Sequence, residues 1–316
     1  MKNKKIMIIM IVLISLLFAG YGVLTSLNHA GYDIESIDIY HITSEEDFYH
    51  YAEFYDAYKG AILDANITLI HTHELIGEKG RPFDVTFDGQ GYCISLEEEA
   101  SKLPLFDTIS SNGVVKNLEV KATNIDVEVS SFGLLAIQNK GEIVNCNFKI
   151  TNANILVDTI IGGIVAINDG KISFTHIKTK FTNKVSHYRK PSIVAGVCAY
   201  NNGFLDMVIC NVEFGGFKET NDSEILNGTL NNSIGAIYGI NNKKLEDVKE
   251  CYYLCTEKYY LTDTKYLKDI NGLDVAFNEN TLLNVFHFKN DLWEMEGQGQ
   301  EYFMDLKDGV SIWWIK

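Results

Sequence analysis

Two histidines and a glutamate in "HTHELIGEKG" (residues 71–80) have the spacing that begins a zinc-peptidase signature. In the H-E-x-x-H signature, two imidazoles one helical turn apart bind the metal and the glutamate acts as general base. His73 and Glu74 supply the first half, but Gly77 stands where the second histidine is needed. His71 and His73 on a strand would give only two ligands on one face. We therefore predict exposed loop histidines here and no metal site.

A second reactive group lies in "SHYRKP" (residues 186–191), where His187, Arg189 and Lys190 come together. A polysaccharide lyase needs a base and a cation that neutralises a uronate, and these residue types supply both. A hydrolase needs two carboxylates flanking one bond, and the sequence contains neither an Asp-Asp pair nor a Gly-His-Gly turn. The pattern favours a solvated loop, and His187, Arg189 and Lys190 are the catalytic candidates only if the protein is an enzyme.

The six cysteines are an even number, which in an exported chain ordinarily suggests disulfides. However, Cys146, Cys210 and Cys251 recur at similar places after a turn, and cysteine is small and readily buried. We predict a stacked column of free thiols. Cys251 and Cys255 have the spacing of a ligand pair, but no second pair completes a tetrahedral metal site, and we predict no cofactor.

Composition limits the partners. Aspartate and glutamate number 42 against 27 lysines and arginines, and the net charge of −15 argues against nucleic-acid binding. The hydrophobic fraction of 46% is enough for a substantial core.

The N-terminus predicts export. Lys2, Lys4 and Lys5 precede an apolar stretch, residues 6–27, that is long enough to span a bilayer. The lysines are expected to stay inside, so everything after the stretch would lie outside. Residues 1–30 are therefore predicted to be a signal-anchor, with a cleaved signal peptide and secretion as the alternative.

A repeat organises the middle of the chain. Four similar segments each combine a small residue, an apolar run, an asparagine, a turn and an aliphatic residue: "GLLAIQNKGEIVNCNF" (133–148), "GGIVAINDGKISFTHI" (162–177), "AGVCAYNNGFLDMVICNV" (195–212) and "GAIYGINNKKLEDVKECYYL" (235–254). The turn glycines Gly113, Gly141, Gly170 and Gly203 are spaced 28, 29 and 33 residues apart. This period predicts a β-solenoid, whose stacked coils bury a common core.

The repeat also predicts which residues stack. Asn139, Asn168, Asn201 and Asn241 would lie above one another and hydrogen-bond from coil to coil. The glycine two residues after each asparagine would take a positive φ. The aliphatic positions Ile143, Ile172, Leu205 and Leu245 would line the core.

The segments around the repeat are predicted to close its ends. Residues 31–64 form a linker and a capping helix, with a capping box at Thr43 and Glu46 and an end at Gly60. Residues 65–255 form the solenoid. The aromatic-rich residues 256–316 form a C-terminal α+β cap, because an open solenoid end exposes unpaired strand edges.

These motifs resemble bacterial surface proteins that carry the GLUG motif. "FDGQGYCI" (87–94) is similar to the entry segment of that family, residues 133–148 are close to the motif, and "ECYYLC" (250–255) resembles its last coil. The resemblance implies a right-handed parallel β-helix outside a bacterial cell, often part of adhesin-like proteins or of immunoglobulin A metallopeptidases. The family has no common catalytic motif.

Together these features favour a membrane-anchored or secreted display protein that is not an enzyme and binds extracellular glycans or surface proteins. A β-helix lyase or hydrolase of acidic polysaccharides is the alternative, and an accessory module of a larger surface protease system is the second.

Overall fold

A computed structural model describes residues 39–78, 80–97, 99–157, 159–185, 192–217, 232–243, 247–249, 251–255, 301–305 and 311–315. Within these ranges, no helix has the length and apolar character needed to cross a membrane. The predicted anchor at residues 6–27, the candidates His187, Arg189 and Lys190, and residues 256–300 of the predicted C-terminal cap lie outside the described residues.

The first elements combine short strands with one helix. They are β1 (Tyr40–Ile42), α1 (Glu45–Phe54), a 3₁₀ turn (Tyr55–Ala57), β2 (Gly60–Leu63) and β3 (Ile67–Leu69). Ser44, not Thr43, is the N-cap, and its hydroxyl accepts a hydrogen bond from the Asp47 backbone N–H at 3.2 Å. The Asp47 carboxylate reaches back to the Thr43 backbone N–H at 2.9 Å. The predicted box is therefore shifted by one residue, because Asp47 supplies the carboxylate expected from Glu46.

The strands that follow pair in parallel with the equivalent strand of the next coil. They are β4 (Thr86–Asp88), β5 (Cys93–Leu96), β6 (Phe106–Ile109), β7 (Val114–Lys116), β8 (Glu119–Val127), β9 (Ser131–Gly133), β10 (Ala136–Asn139), β11 (Glu142–Val144), β12 (Asn147–Ile155), β13 (Ile160–Gly162), β14 (Val165–Asn168), β15 (Lys171–Asn183), β16 (Ser192–Ala195), β17 (Cys198–Asn201), β18 (Phe204–Gly215), β19 (Asn232–Gly235), β20 (Tyr238–Asn241), β21 (Val248–Lys249) and β22 (Tyr252–Cys255). A 3₁₀ turn (Ala100–Lys102) lies between β5 and β6, and β23 (Glu301–Asp305) and β24 (Ser311–Ile315) pair in antiparallel orientation.

The parallel strands form four faces, which we call A to D. Face A contains β1, β2, β4, β7, β11, the first parts of β15 and β18, and β21. Face B contains β3, β5, β8, β12, the second parts of β15 and β18, and β22. Face C contains β6, β10, β14, β17 and β20, and face D contains β9, β13, β16 and β19. The predicted parallel β-solenoid is confirmed.

The core runs along the solenoid axis. Val115, Ile143, Ile172 and Leu205 are in register on successive strands of face A, and all four are fully buried. Burying each such side chain stabilises the fold by about 1.5–3 kcal/mol. The predicted core positions Ile143, Ile172 and Leu205 are confirmed, and Leu245 lies outside the described residues.

Helix α1 packs on the first coils through its apolar side. Phe48, Tyr51 and Ala52 are buried, and the rings of Tyr51 and Phe87 lie 6.1 Å apart. Because Phe87 belongs to the core of face A, the helix extends the same hydrophobic core past the first strands.

The turn glycines are required for a reason other than the predicted one. Gly141, Gly170 and Gly203 do not have a positive φ. A Cβ at each position would lie 2.0–2.2 Å from the carbonyl oxygen of the preceding glycine in the column. The prediction of a left-handed conformation was wrong, and the close approach of successive coils excludes a side chain instead.

The cysteines do not form the predicted column. Cys93, Cys146, Cys198, Cys210 and Cys251 are buried, and no disulfide joins these five. Cys210 is in register with Ile177 on face B, whereas Cys198 is in register with Val165 on face C. The predicted column was wrong because Cys146 follows its turn glycine by five residues and Cys210 by seven. Burial raises the pKa of the Cys146 thiol to about 12, so it stays protonated and unreactive at neutral pH.

Candidate binding surface

An asparagine ladder lies at the corner between faces C and A. Asn139, Asn168, Asn201 and Asn241 end successive strands of face C in register. Each side-chain amide donates to the Oδ1 atom of the next asparagine, at 2.9, 2.8 and 2.9 Å along the column. The first three asparagines are completely buried. The predicted ladder is confirmed, and its amides satisfy one another where water is excluded.

A second polar ladder covers the first on the solvent side. The Asp169 carboxylate accepts hydrogen bonds from the Gln138 amide and, at 2.7 Å, from the Asn202 amide. The Asn242 amide in turn donates to Asn202 Oδ1 at 2.7 Å. Asp169 and Asn242 are exposed, so this outer ladder presents donors and acceptors to solvent. We call the two ladders together the amide corner.

Apolar side chains border the amide corner. Ile167, Tyr200 and Ile240 are half-buried and in register on face C. Phe204, which begins β18 after the corner, is 48% exposed, and the Lys243 ammonium lies 4.8 Å from the centre of its ring. Polar groups flanked by accessible apolar and aromatic surface can hydrogen-bond hydroxyl groups while the rings contact the apolar faces of a ligand.

The predicted loop histidines lie in different surroundings. His71 is exposed, and its Nδ1 atom lies 3.6 Å from Glu45 Oε1. His73 is buried, its Nδ1 atom donates to the Glu74 carbonyl oxygen at 3.0 Å, and its ring meets Phe48 edge-on. The prediction that His73 is exposed was wrong, because α1 packs over it. Burial also lowers the pKa of His73.

The described residues contain no group of three or more His, Cys, Asp or Glu side chains that could hold a metal ion. A cavity of about 500 Å³ lies beside the end of α1, lined by Ala52, Glu53, Phe54, Tyr55, Glu74, Leu75, Glu78 and Arg81. Arg81 donates to the Asp56 carboxylate and lies over the Tyr55 ring. Because its one arginine is held by these internal contacts, the cavity is a weaker candidate for ligand binding than the amide corner.

A polar column on face B was not predicted. Glu119, Asn147 and His176 are in register on β8, β12 and β15, and each is at least nine-tenths buried. The His176 Nδ1 atom donates to Asn147 Oδ1 at 2.8 Å, and the Asn147 amide donates to Glu119 Oε1 at 2.9 Å. Lys121 completes the chain with an ion pair to Glu119 at 2.8 Å. The spacing of 28 and 29 residues, shared with the turn glycines, could have revealed this column.

The buried imidazole of His176 predicts a loss of stability in mild acid. Burial, with a smaller effect of Lys178, lowers the pKa of His176 from 6.5 to about 3. Below pH 6.5 the unfolded chain binds a proton that the folded chain does not, so the free energy of unfolding falls as the pH falls. His176→Asn, which can still donate to Asn147, should reduce this slope by up to about 1.4 kcal/mol per pH unit, the value approached near pH 5. Urea unfolding between pH 6.5 and about pH 5 measures both slopes.

His73 provides the internal control for this prediction. Its pKa is also lowered by burial, so it contributes to the same pH range in both proteins. Because this contribution is common to the wild type and His176→Asn, it cancels from the difference between their slopes, which therefore reports His176. Equal slopes in the wild type and His176→Asn would contradict the prediction.

Comparisons with known proteins gave no match: no family model, no curated protein and no solved structure matches this chain. The class defined by the structure is a parallel β-solenoid, which is compatible with a β-helix repeat protein.

Proposed function

We propose that this chain is a binding protein of the bacterial cell surface, a right-handed β-helix of the GLUG type held in the membrane by residues 6–27. Its solenoid would face outward and bind extracellular glycans without cleaving them. The apolar N-terminal segment and the quoted repeat residues support the location. The net charge of −15 supports a partner other than nucleic acid.

The outer ladder of the amide corner carries the proposal. Asp169, Asn202 and Asn242 follow the buried asparagines of three successive coils, so their acceptors and donors repeat along the solenoid axis at the strand spacing of about 4.8 Å. A chain of sugar units also presents hydroxyl groups at regular intervals. Tyr200, and Phe204 beyond the corner, add ring surface that can pack against the apolar faces of sugar rings.

Removing the centre of the outer ladder should weaken glycan binding. Asp169→Ala/Asn202→Ala removes the carboxylate that accepts from Gln138 and Asn202, and it also removes the Asn202 amide. Ligands are first found by probing a neutral-glycan array with the full-length wild type. We expect the affinity of the variant for these ligands to be at least about tenfold lower, because losing hydrogen bonds worth about 1.4 kcal/mol has this effect. Titration of each ligand against wild type and variant gives the ratio.

A matched pair on face B supplies the control. The Asn154 amide donates to Asp126 at 2.8 Å, so Asp126→Ala/Asn154→Ala removes the same two groups outside the amide corner. We expect its affinity to stay within about twofold of the wild type, since Asp126 is exposed, Asn154 is half-buried and neither belongs to the amide corner. Absence of any ligand on the array would overturn the proposal. Release of unsaturated or reducing ends from uronate polymers, lost in His187→Ala/Arg189→Ala, would replace it with the enzyme alternative.

A further inference from the structure

Three lysines form a column on the outer side of face B. Lys121 on β8, Lys149 on β12 and Lys178 on β15 are in register with one another. Adjacent strands of a sheet lie about 4.8 Å apart, so the column carries one positive charge per coil at that interval. Ser95 precedes the column and Asn211 follows it, so the neighbouring positions at both ends are uncharged.

Like charges directly opposite on neighbouring strands repel one another. Only part of this repulsion is relieved by Glu119, which pairs with Lys121 at 2.8 Å. Lys149, at the centre, is exposed and has no ion pair or hydrogen bond to any described residue. A cationic column in a chain of net charge −15 is therefore suited to an anionic partner from outside.

The carboxylates around the column are already engaged. Glu213 pairs with Lys180 at 3.3 Å, and Asp126 accepts from Asn154 at 2.8 Å. Beyond Lys149 on the same strand, the Asn152 amide donates to Asn154 Oδ1 at 3.1 Å. The surface beside the lysines thus offers amide groups that can hydrogen-bond hydroxyls, and both of these carboxylates are held by side chains of the same face.

We propose that the lysine column of face B binds a linear acidic polysaccharide lying along the solenoid axis, with carboxylate or sulfate groups of successive units on Lys121, Lys149 and Lys178. The lysines supply the charge recognition and the neighbouring amides recognise the sugar hydroxyls. This site lies on a different face from the amide corner and is independent of it.

The column is a binding site rather than a cleavage site. Cleavage by elimination requires an accessible base beside the bound uronate. His176, two residues before Lys178 and on the same side of the strand, is buried, and its Nδ1 atom donates to Asn147. The imidazole is therefore not accessible to a polymer that lies on the lysines.

Binding of polygalacturonate to the full-length chain tests the proposal. We expect Lys121→Gln/Lys149→Gln/Lys178→Gln to weaken this binding at least about tenfold at low salt, because three ion pairs with the polymer are lost. Binding by the wild type should also weaken as salt is raised, and neutral dextran should not bind at this site. Affinity electrophoresis measures all of these values, and Lys149→Gln alone should give an intermediate loss.

The control triple is Lys59→Gln/Lys140→Gln/Lys184→Gln, which changes the net charge equally at exposed positions outside the column. We expect it to bind polygalacturonate within about twofold of the wild type. Equal losses in the two triples, or no binding by the wild type, would overturn the proposal. Inorganic polyphosphate that bound as tightly, with the same dependence on the column, would overturn the assignment to polysaccharide.

Discussion

Gly170→Ala is expected to lower the free energy of unfolding by about 3 kcal/mol, at the upper end of the cost of overpacking. A Cβ at this position would lie 2.2 Å from the Gly141 carbonyl oxygen and 2.6 Å from the Lys140 carbonyl carbon. Both atoms are backbone, so no side chain can rotate away. The Lys171 backbone N–H donates to the same Gly141 oxygen at 2.8 Å, and separating the coils to admit the methyl group would break this hydrogen bond. Urea unfolding of the full-length chain measures the change.

Gly215→Ala is the matched control. A Cβ there would have its nearest neighbours at 3.9 Å, and the residue does not have a positive φ. We expect a change within about 0.5 kcal/mol. If the two variants unfolded at the same urea concentration, the close approach of the coils at the turn glycines would not contribute to stability as the geometry requires.

The sequence predicted the features that depend on one residue type recurring at one position. Asn139, Asn168 and Asn201 each precede a turn glycine by two residues, so aligning the glycines also aligned the ladder. The parallel solenoid followed from the same alignment. The physical reason for the glycines could not be predicted, because a positive φ and a close contact between coils both disfavour a side chain and give the same sequence pattern.

The outer ladder could be predicted only in part in this way. Asp169, Asn202 and Asn242 each follow the buried asparagine of their coil, whereas Gln138 precedes the asparagine of its coil. The position equivalent to Asp169 in that coil is occupied by Lys140, so Gln138 joins the ladder by a diagonal contact between coils. Such a contact depends on side-chain reach, which periodicity does not encode.

The lysine column was predictable in principle. Lys121, Lys149 and Lys178 are spaced 28 and 29 residues apart, as are Gly113, Gly141 and Gly170. The lysines lie outside the Asn-x-Gly turn by which the repeats were aligned, so the alignment did not draw attention to them. The register of β8, β12 and β15 shows that they share a side of one face.

Asn168→Asp is expected to destabilise the protein by about 3 kcal/mol at neutral pH. The Asn168 amide donates to Asn201 Oδ1 at 2.8 Å, and its Oδ1 atom accepts from Asn139 at 2.9 Å, in a completely buried position. Replacing the amide by a carboxylate removes one donor, places two acceptors face to face and buries an uncompensated charge. Urea unfolding against the wild type at several pH values measures the loss.

The pH dependence distinguishes this cause from a simple packing defect. A buried carboxyl group has a raised pKa, and its protonated form can again donate to Asn201. The stability difference between wild type and Asn168→Asp should therefore narrow as the pH falls toward about 4, while Asn112→Asp, at an exposed turn, should stay within about 0.5 kcal/mol of the wild type throughout. If the stability difference between wild type and Asn168→Asp did not change with pH, the ladder would stabilise the protein through side-chain packing and not through hydrogen bonds. Asp169 and Asn202 directly follow Asn168 and Asn201 in the chain, so the outer ladder depends on the position of the buried one. If Asn168→Asp kept the glycan ligand at low pH and lost it at neutral pH, this result would link the buried ladder to binding.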